Sequence, residues 1–375
     1  NNVISGNVAL NHPNDRAIQI INSPQPGNGN QIVNNVIQNA GQAGILTGLG
    51  SGDTNLLIAG NTVITANPGI VVGSSVTATI TNNQVSGGSI GIQIANSSKV
   101  VVISNTTSNN GDGISVESGS SHVTVTNNAA SSAGNGFRIT NSSAVTVTAN
   151  QATNSTTGFF VDNASNAVAL LNNQAQSLNT GIRVGSGAAN VTLAGNTVDG
   201  TALSLELQNS SHVVITGNTL INSGLGFSIT NGAGNLVTAT FNIITSTGGV
   251  LFNSGNASGL LLSRNNLANN TGVTNTAAGT LNAECNWYGA ANGPSGVGGG
   301  SGTPVSTGVD FNPWLLSDDL NGPCSGGSLT VQKVLVGPIT PTTAWQFTAA
   351  VPTGTLVFTL PAGGGAITFS GLDFG

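Results

Sequence analysis

The chain is poor in charge: Lys, Arg, Asp and Glu make up 5% of its 375 residues, against roughly 25% in an ordinary soluble domain. Only six are Lys or Arg, and the formal net charge is −6. No basic stripe can form to neutralise phosphates, which excludes nucleic acid and anionic membrane surfaces as partners. No long unbroken apolar run occurs, so no membrane span is expected. The two cysteines, Cys285 and Cys324, have no metal-site spacing, since a structural zinc wants four ligands and there is no C-x-x-C. Either they close a disulfide, implying an oxidising, extracytoplasmic compartment, or they are two free buried thiols. No cofactor is expected. Met is absent and the first residue is Asn, so the sequence reads as a piece of a longer exported protein, with the rest of that chain as a partner. The oligomeric state is left open.

What is abundant sets the architecture. Hydrophobic residues reach 38%, enough for a sizeable core, with Asn, Ser, Thr and Gly left to face water. "SSHVTVTNN" at 120–128 returns as "SSHVVITGN" at 210–218. The last Asn of each belongs to a longer series: Asn7, Asn35, Asn61, Asn83, Asn105, Asn128, Asn150, Asn173, Asn196, Asn218, Asn242, Asn265 and Asn286. Most steps are 22 or 23 residues. Before each anchor stands an alternating run such as "VTVT" at 123–126, the signature of a strand with one buried face. After it come a short apolar position, a polar turn, a Gly and a second alternating run, as in "GIQI" from Gly91 or "GFRI" from Gly136. Gly at that place is expected to serve a corner with unusual backbone angles.

A unit of this size with three short strands cannot bury its apolar side chains alone and must stack on its neighbours. Helical repeats do not fit a period of two, and the leucine-rich frame is absent. The expected fold is all-β: a right-handed parallel β-helix with three strands per coil. Coils about 4.8 Å apart would let the Asn side chains bond up one column, and twelve steps give a rod of roughly 58 Å.

The segments "NVTLAGNTV", "SHVVITGNTL" and "NLLIAGNTV" resemble the right-handed β-helix repeats of the pectin-lyase-like superfamily, over about residues 1–286. Residues 285–315, "CNWYGAANGPSGVGGGSGTPVSTGVDFNPWL", are similar to the element that closes many bacterial exported β-helix proteins. The expected organisation is a β-helix over 1–286 and an aromatic and Gly-rich cap over 287–324, closed by the disulfide. A partial β-sandwich over 325–375 looks like the opening of a prealbumin-like module. All three Trp and the only Tyr lie at or beyond residue 287. An open solenoid end must be covered, and Trp287, Tyr288, Phe311 and Trp314 are the side chains available for it.

In the enzymes that the resemblance points to, substrate lies along the outward side chains of one sheet. Aligning the run after each Gly brings Glu117, Arg138, Phe160, Asp162, Arg183 and Glu206 onto one patch, roughly 20 Å long. Five charged residues together stand out in so neutral a chain. Opposite charges on adjacent coils could simply pair, as Glu117/Arg138, Asp162/Arg183 and Arg183/Glu206. No catalytic or metal-binding set is legible: a glycosidase needs two placed carboxylates and a metal lyase a carboxylate cluster. His122 and His212 sit four coils apart, near 19 Å, too far to share a metal. The expectation is a non-enzymatic extracellular stalk or adhesion module of a bacterial surface protein, with a carbohydrate or cell-surface polymer as partner. The alternatives are a carbohydrate-active enzyme using the same face, and ice binding through the rows Thr124, Thr126, Thr146 and Thr148, with Thr79 and Thr81.

Overall fold

A computed structural model describes the chain except residues 1, 22–28, 50–52, 232–235, 269, 325–326, 334–342, 352–353, 364 and 373–375. One coil states its rule. Ser143–Thr148, Gln151–Thr153 and Thr157–Asp162 are three strands, in an order that the coils repeat as far as Val250–Gly255, beyond which no strand joins the second sheet among the described residues. Each pairs in parallel with its counterpart one coil on: Val145 with Val168, Ala152 with Ala175, Phe159 with Ile182. Among the described residues, three parallel sheets of 14, 11 and 14 strands result, here sheets 1, 2 and 3 in chain order.

The coil bends at three corners, where a residue of positive φ precedes a buried small or polar one. Between sheets 1 and 2, Asn127, Ala149 and Asn172 (φ 53°, 54° and 53°) precede Asn128, Asn150 and Asn173. Between sheets 2 and 3, Asn109, Ser132 and Asn154 precede Asn110, Ala133 and Ser155. Where sheet 3 leads into the next coil, Asn96 and Asn141 precede Ser97 and Ser142. Asn is the non-glycine residue best suited to this conformation, which accounts for much of its abundance.

The asparagine column forms as the repeat requires. From Asn7 to Asn286, each Nδ2 donates to the Oδ1 of the next anchor at 2.8–3.1 Å. The backbone N–H of each donates to the same oxygen, as Asn128 N does to Asn150 Oδ1 at 2.9 Å. The second Nδ2 proton goes to backbone carbonyls, for Asn150 those of Val125 and Thr148. Buried amides are thereby satisfied without water. A shorter serine column runs at another corner, with Ser75 N–H on Ser97 Oγ and Ser97 N–H on Ser120 Oγ.

Inside most coils, sheets 1 and 3 each contribute two buried apolar residues and sheet 2 one, with Thr107 in its place in one coil. Phe137 stacks on Phe159 at 4.9 Å, 8° from parallel. The sheet 2 positions nearby are Ala130, Ala152 and Ala175, so small residues compensate for large ones and the density is kept. The recurrent glycines Gly91, Gly113, Gly136, Gly158 and Gly181 serve a different purpose from the one expected. Their φ lies outside the left-handed region, and a Cβ would come within 2.8 Å of a carbonyl oxygen of the next coil. They are there because the strand enters the core too tightly for a side chain.

At the C-terminal end the sheets run on: Gly302–Val305 joins sheet 3 and Val309–Asp310 joins sheet 1. Tyr288 is fully buried and donates to Ala283 O at 2.7 Å. Phe311 and Trp314 pack against the core, 6.3 Å apart, and Trp314 Nε1 donates to Ala291 O. Trp287 is half-buried, in backbone pairing with Asn266. Cys285 and Cys324 are disulfide-bonded, and Arg264 Nη1 donates to Leu320 O and Gly322 O. Beyond them, Gly327–Lys333 pairs antiparallel with Gly365–Leu372, and Trp345–Val351 with Gly354–Leu360.

Candidate functional site

The strand register sets the outward face of sheet 3. Gln93, Ser115, Arg138, Phe160, Arg183 and Glu206 pair in one continuous row along the rod. One alternation further along the strands, Ala95 pairs with Glu117 and Thr140 with Asp162. All six residues singled out from the sequence therefore share this face, each half-buried.

Their contacts differ from a simple alternation of charge. Arg138 Nη1 lies 3.4 Å from Asp112 Oδ2, reaching back one coil instead of meeting Glu117. Asn135 Nδ2 holds the other Asp112 oxygen at 2.7 Å. Glu117 is taken up within its own surroundings: Oε1 accepts from Gln93 Nε2 and Oε2 from Ser115 Oγ. Arg183 pairs with Glu206 as expected, Nε to Oε2 at 3.2 Å, although this N–H does not point at the oxygen and is left without a hydrogen bond. Its Nη2 donates to Gln208 Oε1 at 2.8 Å, and Gln208 Nε2 donates to Glu206 Oε1. The Arg183 guanidinium lies over the Phe160 ring, 5.1 Å from its centre, a cation–π contact that fixes the planar group on the surface.

Asp162 stands apart, and the expected pair with Arg183 does not form. Among the described residues neither of its carboxylate oxygens has a hydrogen-bond or ion-pair partner. Gly185 is its neighbour one coil on; a Cβ there would sit 2.3 Å from Asp162 Oδ1 and 3.3 Å from Phe160 Cε2. The bare glycine makes the notch in which this carboxylate rests.

The row alignment also holds Gln93 and Gln208, which were not counted as site residues because they carry no charge, and it misses Asp112 and Asn135, which stand before the recurrent glycine, three residues ahead of Ser115 and Arg138.

Other surface features do not join this face. His122 and His212 are exposed residues where the sheet 1 strands begin, with φ of 53° and 54°, in the row that also holds Asn55 and Asn190. His is among the residues enriched in that conformation, which accounts for the repeated letter. On sheet 1, Thr79, Thr124, Thr146, Thr192 and Thr238 stand in one row, interrupted by Val101, Ala169 and Val214. A shallow groove of about 510 Å³ near the N-terminal coils is lined by Pro13, Gly41, Thr65, Asn67, Gly88 and Ser89.

A family model described as "Right handed beta helix region" matches residues 26–175, and one described as "Periplasmic copper-binding protein (NosD)" matches residues 118–294. The residues present do not fit copper. Among the described residues no three His, Cys, Asp or Glu side chains come together, and both cysteines are in the disulfide. No curated protein matches the chain in sequence. Among solved structures, the tailspike protein of E. coli bacteriophage HK620 is similar at 12% identity and TM-score 0.55, over 98% of this chain and 84% of that one. The periplasmic alginate epimerase AlgG is similar at 16% identity and TM-score 0.51, over 60% of this chain and 68% of that one. Such identities speak for the fold alone, and together with the three stacked parallel sheets they bear out a right-handed parallel β-helix.

Proposed function

We propose that this chain is an extracellular, non-enzymatic stalk or adhesion module that lays the outward face of sheet 3 against a carbohydrate polymer. One observation carries the preference for binding over turnover. Of the four carboxylates on the face, Asp112, Glu117 and Glu206 each have both oxygens engaged by neighbouring side chains. Only Asp162 is uncommitted, whereas hydrolysis of a glycosidic bond by the usual route needs two working carboxylates, one to protonate the leaving oxygen and one to attack or activate water. Arg183 held over the Phe160 ring offers a long-chain ligand a placed planar donor, and the row runs along the rod as a polymer would. The carbohydrate class is favoured further by the epimerase and the tailspike that share the fold, and an exported location by the disulfide.

We also propose the division into a rod over 1–286, a cap over 287–324 built on Trp287, Tyr288, Phe311 and Trp314, and a separate β-module over 325–375. The functional reading is tested by replacing Arg138, Asp162 and Arg183 with Ala, and assaying a glycan array beside a polysaccharide degradation assay. Binding by the parent chain that falls about tenfold or more in the triple variant, with no product released by either, is expected. Release of oligosaccharide by the parent chain overturns the non-enzymatic reading, and binding unchanged in the variant removes the face.

A further inference from the structure

The charge on this face selects among polysaccharides. Four carboxylates, Asp112, Glu117, Asp162 and Glu206, stand against two guanidiniums, and each guanidinium is already paired with a carboxylate of the same face. Lys99 lies on sheet 1, and Arg264 at the cap end is occupied by Leu320 O and Gly322 O. A polyuronate, with a carboxylate on every ring, would meet a surface of its own sign on a chain of net charge −6. To be held it would have to break ion pairs already made.

Asp162 points to what is accepted instead. An ionised carboxylate only accepts hydrogen bonds, and this one, resting in the notch at Gly185, has no donor among the described residues. In the neighbouring outward row of the same sheet the Arg183 guanidinium has N–H groups beyond those facing Gln208 and Glu206. A lone acceptor and a rigid donor, separated by a strand diagonal of roughly 7–8 Å, suit a ligand whose groups both donate and accept. Sugar hydroxyls do both; carboxylates and sulfates do not. We infer, resting on the binding face proposed above, that the ligand is an uncharged, hydroxyl-rich polysaccharide, that Asp162 in the Gly185 notch accepts from its hydroxyls, and that the face rejects polyuronates.

Affinity electrophoresis tests this with the whole chain in EDTA, through gels carrying galactomannan, mixed-linkage β-glucan or starch, and in parallel through alginate or polygalacturonate. Retardation is expected in at least one neutral gel. At low salt neither polyanion should bind within about tenfold of that affinity, and the gap should narrow as salt screens the face. Gly185→Ala, which forces the Asp162 carboxylate out of its place, should weaken neutral binding about tenfold. Asp162→Asn, which leaves size and backbone unchanged, should weaken it less and improve polyanion binding, so the two variants separate loss of site from loss of fold. Tighter binding to alginate or polygalacturonate than to any neutral polymer overturns the inference and leaves the binding face standing. No retardation in any gel counts against the face itself, and with it this choice of ligand.

Discussion

Asn150 sits midway along the rod, and replacing it by Ala tests how much the amide column contributes. Its Oδ1 accepts from Asn128 N at 2.9 Å and Asn128 Nδ2 at 3.0 Å; its Nδ2 donates to Val125 O, Thr148 O and Asn173 Oδ1. The losses are unequal. Asn128 Nδ2 keeps Val102 O and Thr126 O, and Asn173 Oδ1 keeps the Asn150 backbone N–H. The Asn128 backbone N–H keeps nothing. One orphaned buried donor costs about 1–3 kcal/mol, and with the weakened neighbours the variant should lose about 3 kcal/mol. Because each coil touches only its neighbours, the defect should also divide the rod, and the denaturant transition followed by far-UV circular dichroism should broaden or split. Gln174→Ala, an exposed side chain on the adjacent coil of sheet 2, is the control and should stay within about 0.5 kcal/mol. If Asn150→Ala unfolds like Gln174→Ala, in one step at the same midpoint, the column is ornament and the account of the fold is wrong.

Burial pushes the Tyr288 phenol well above its ordinary range, with Asp310 adding to the shift. The unfolded group ionises near pH 10, so the contribution is fully present below that pH and is lost as pH rises past it. Tyr288 is the only tyrosine; its tyrosinate absorbance should therefore appear together with unfolding, and a native-state titration near pH 10 with the dichroism intact would contradict its burial. Cys324→Ser opens a loop closed over a separation of 39 residues, for which chain entropy gives about 4 kcal/mol. The loss should appear as early proteolysis of the 315–324 segment, and equal protease resistance would argue against its role. Asp53 is fully buried, with Oδ1 taken by Asn30 Nδ2 and, among the described residues, Oδ2 without a partner. Asp53→Asn removes a buried charge while keeping the acceptor for Asn30 Nδ2, so the variant should melt no lower than the parent chain, and a lower melting temperature would show that the carboxylate is needed.

The period of the asparagines carried most of the fold, because an amide that must bond to its own copy one coil away leaves the same letter at every step. Row membership on sheet 3 was legible for the same reason: with register fixed, Arg138, Phe160 and Arg183 could stand nowhere else. Contacts within the face were not. Arg138 turns to Asp112 because Glu117 is already held by Gln93 and Ser115, a competition between side chains that no period records. Some backbone conformations were also hidden. Positive φ at Phe241, at a corner, and at Ala144 and Lys99, where sheet 1 strands begin, runs against the preference of those residues. The glycines misled in the opposite sense: their letter suggested a strained backbone, whereas the close approach of the next coil's carbonyl is what excludes a side chain there.

Carbohydrate binding on the outward face of sheet 3 is the proposal most open to direct test. The most direct measurement is a crystal structure with an oligosaccharide of whichever polymer retards the protein. Sugar rings running along the rod from Arg138 to Glu206, with hydroxyls on Asp162 and Arg183, are what the account predicts. Sugar seated in the groove between Pro13 and Ser89, on the threonine rows of sheet 1, or found cleaved would contradict it.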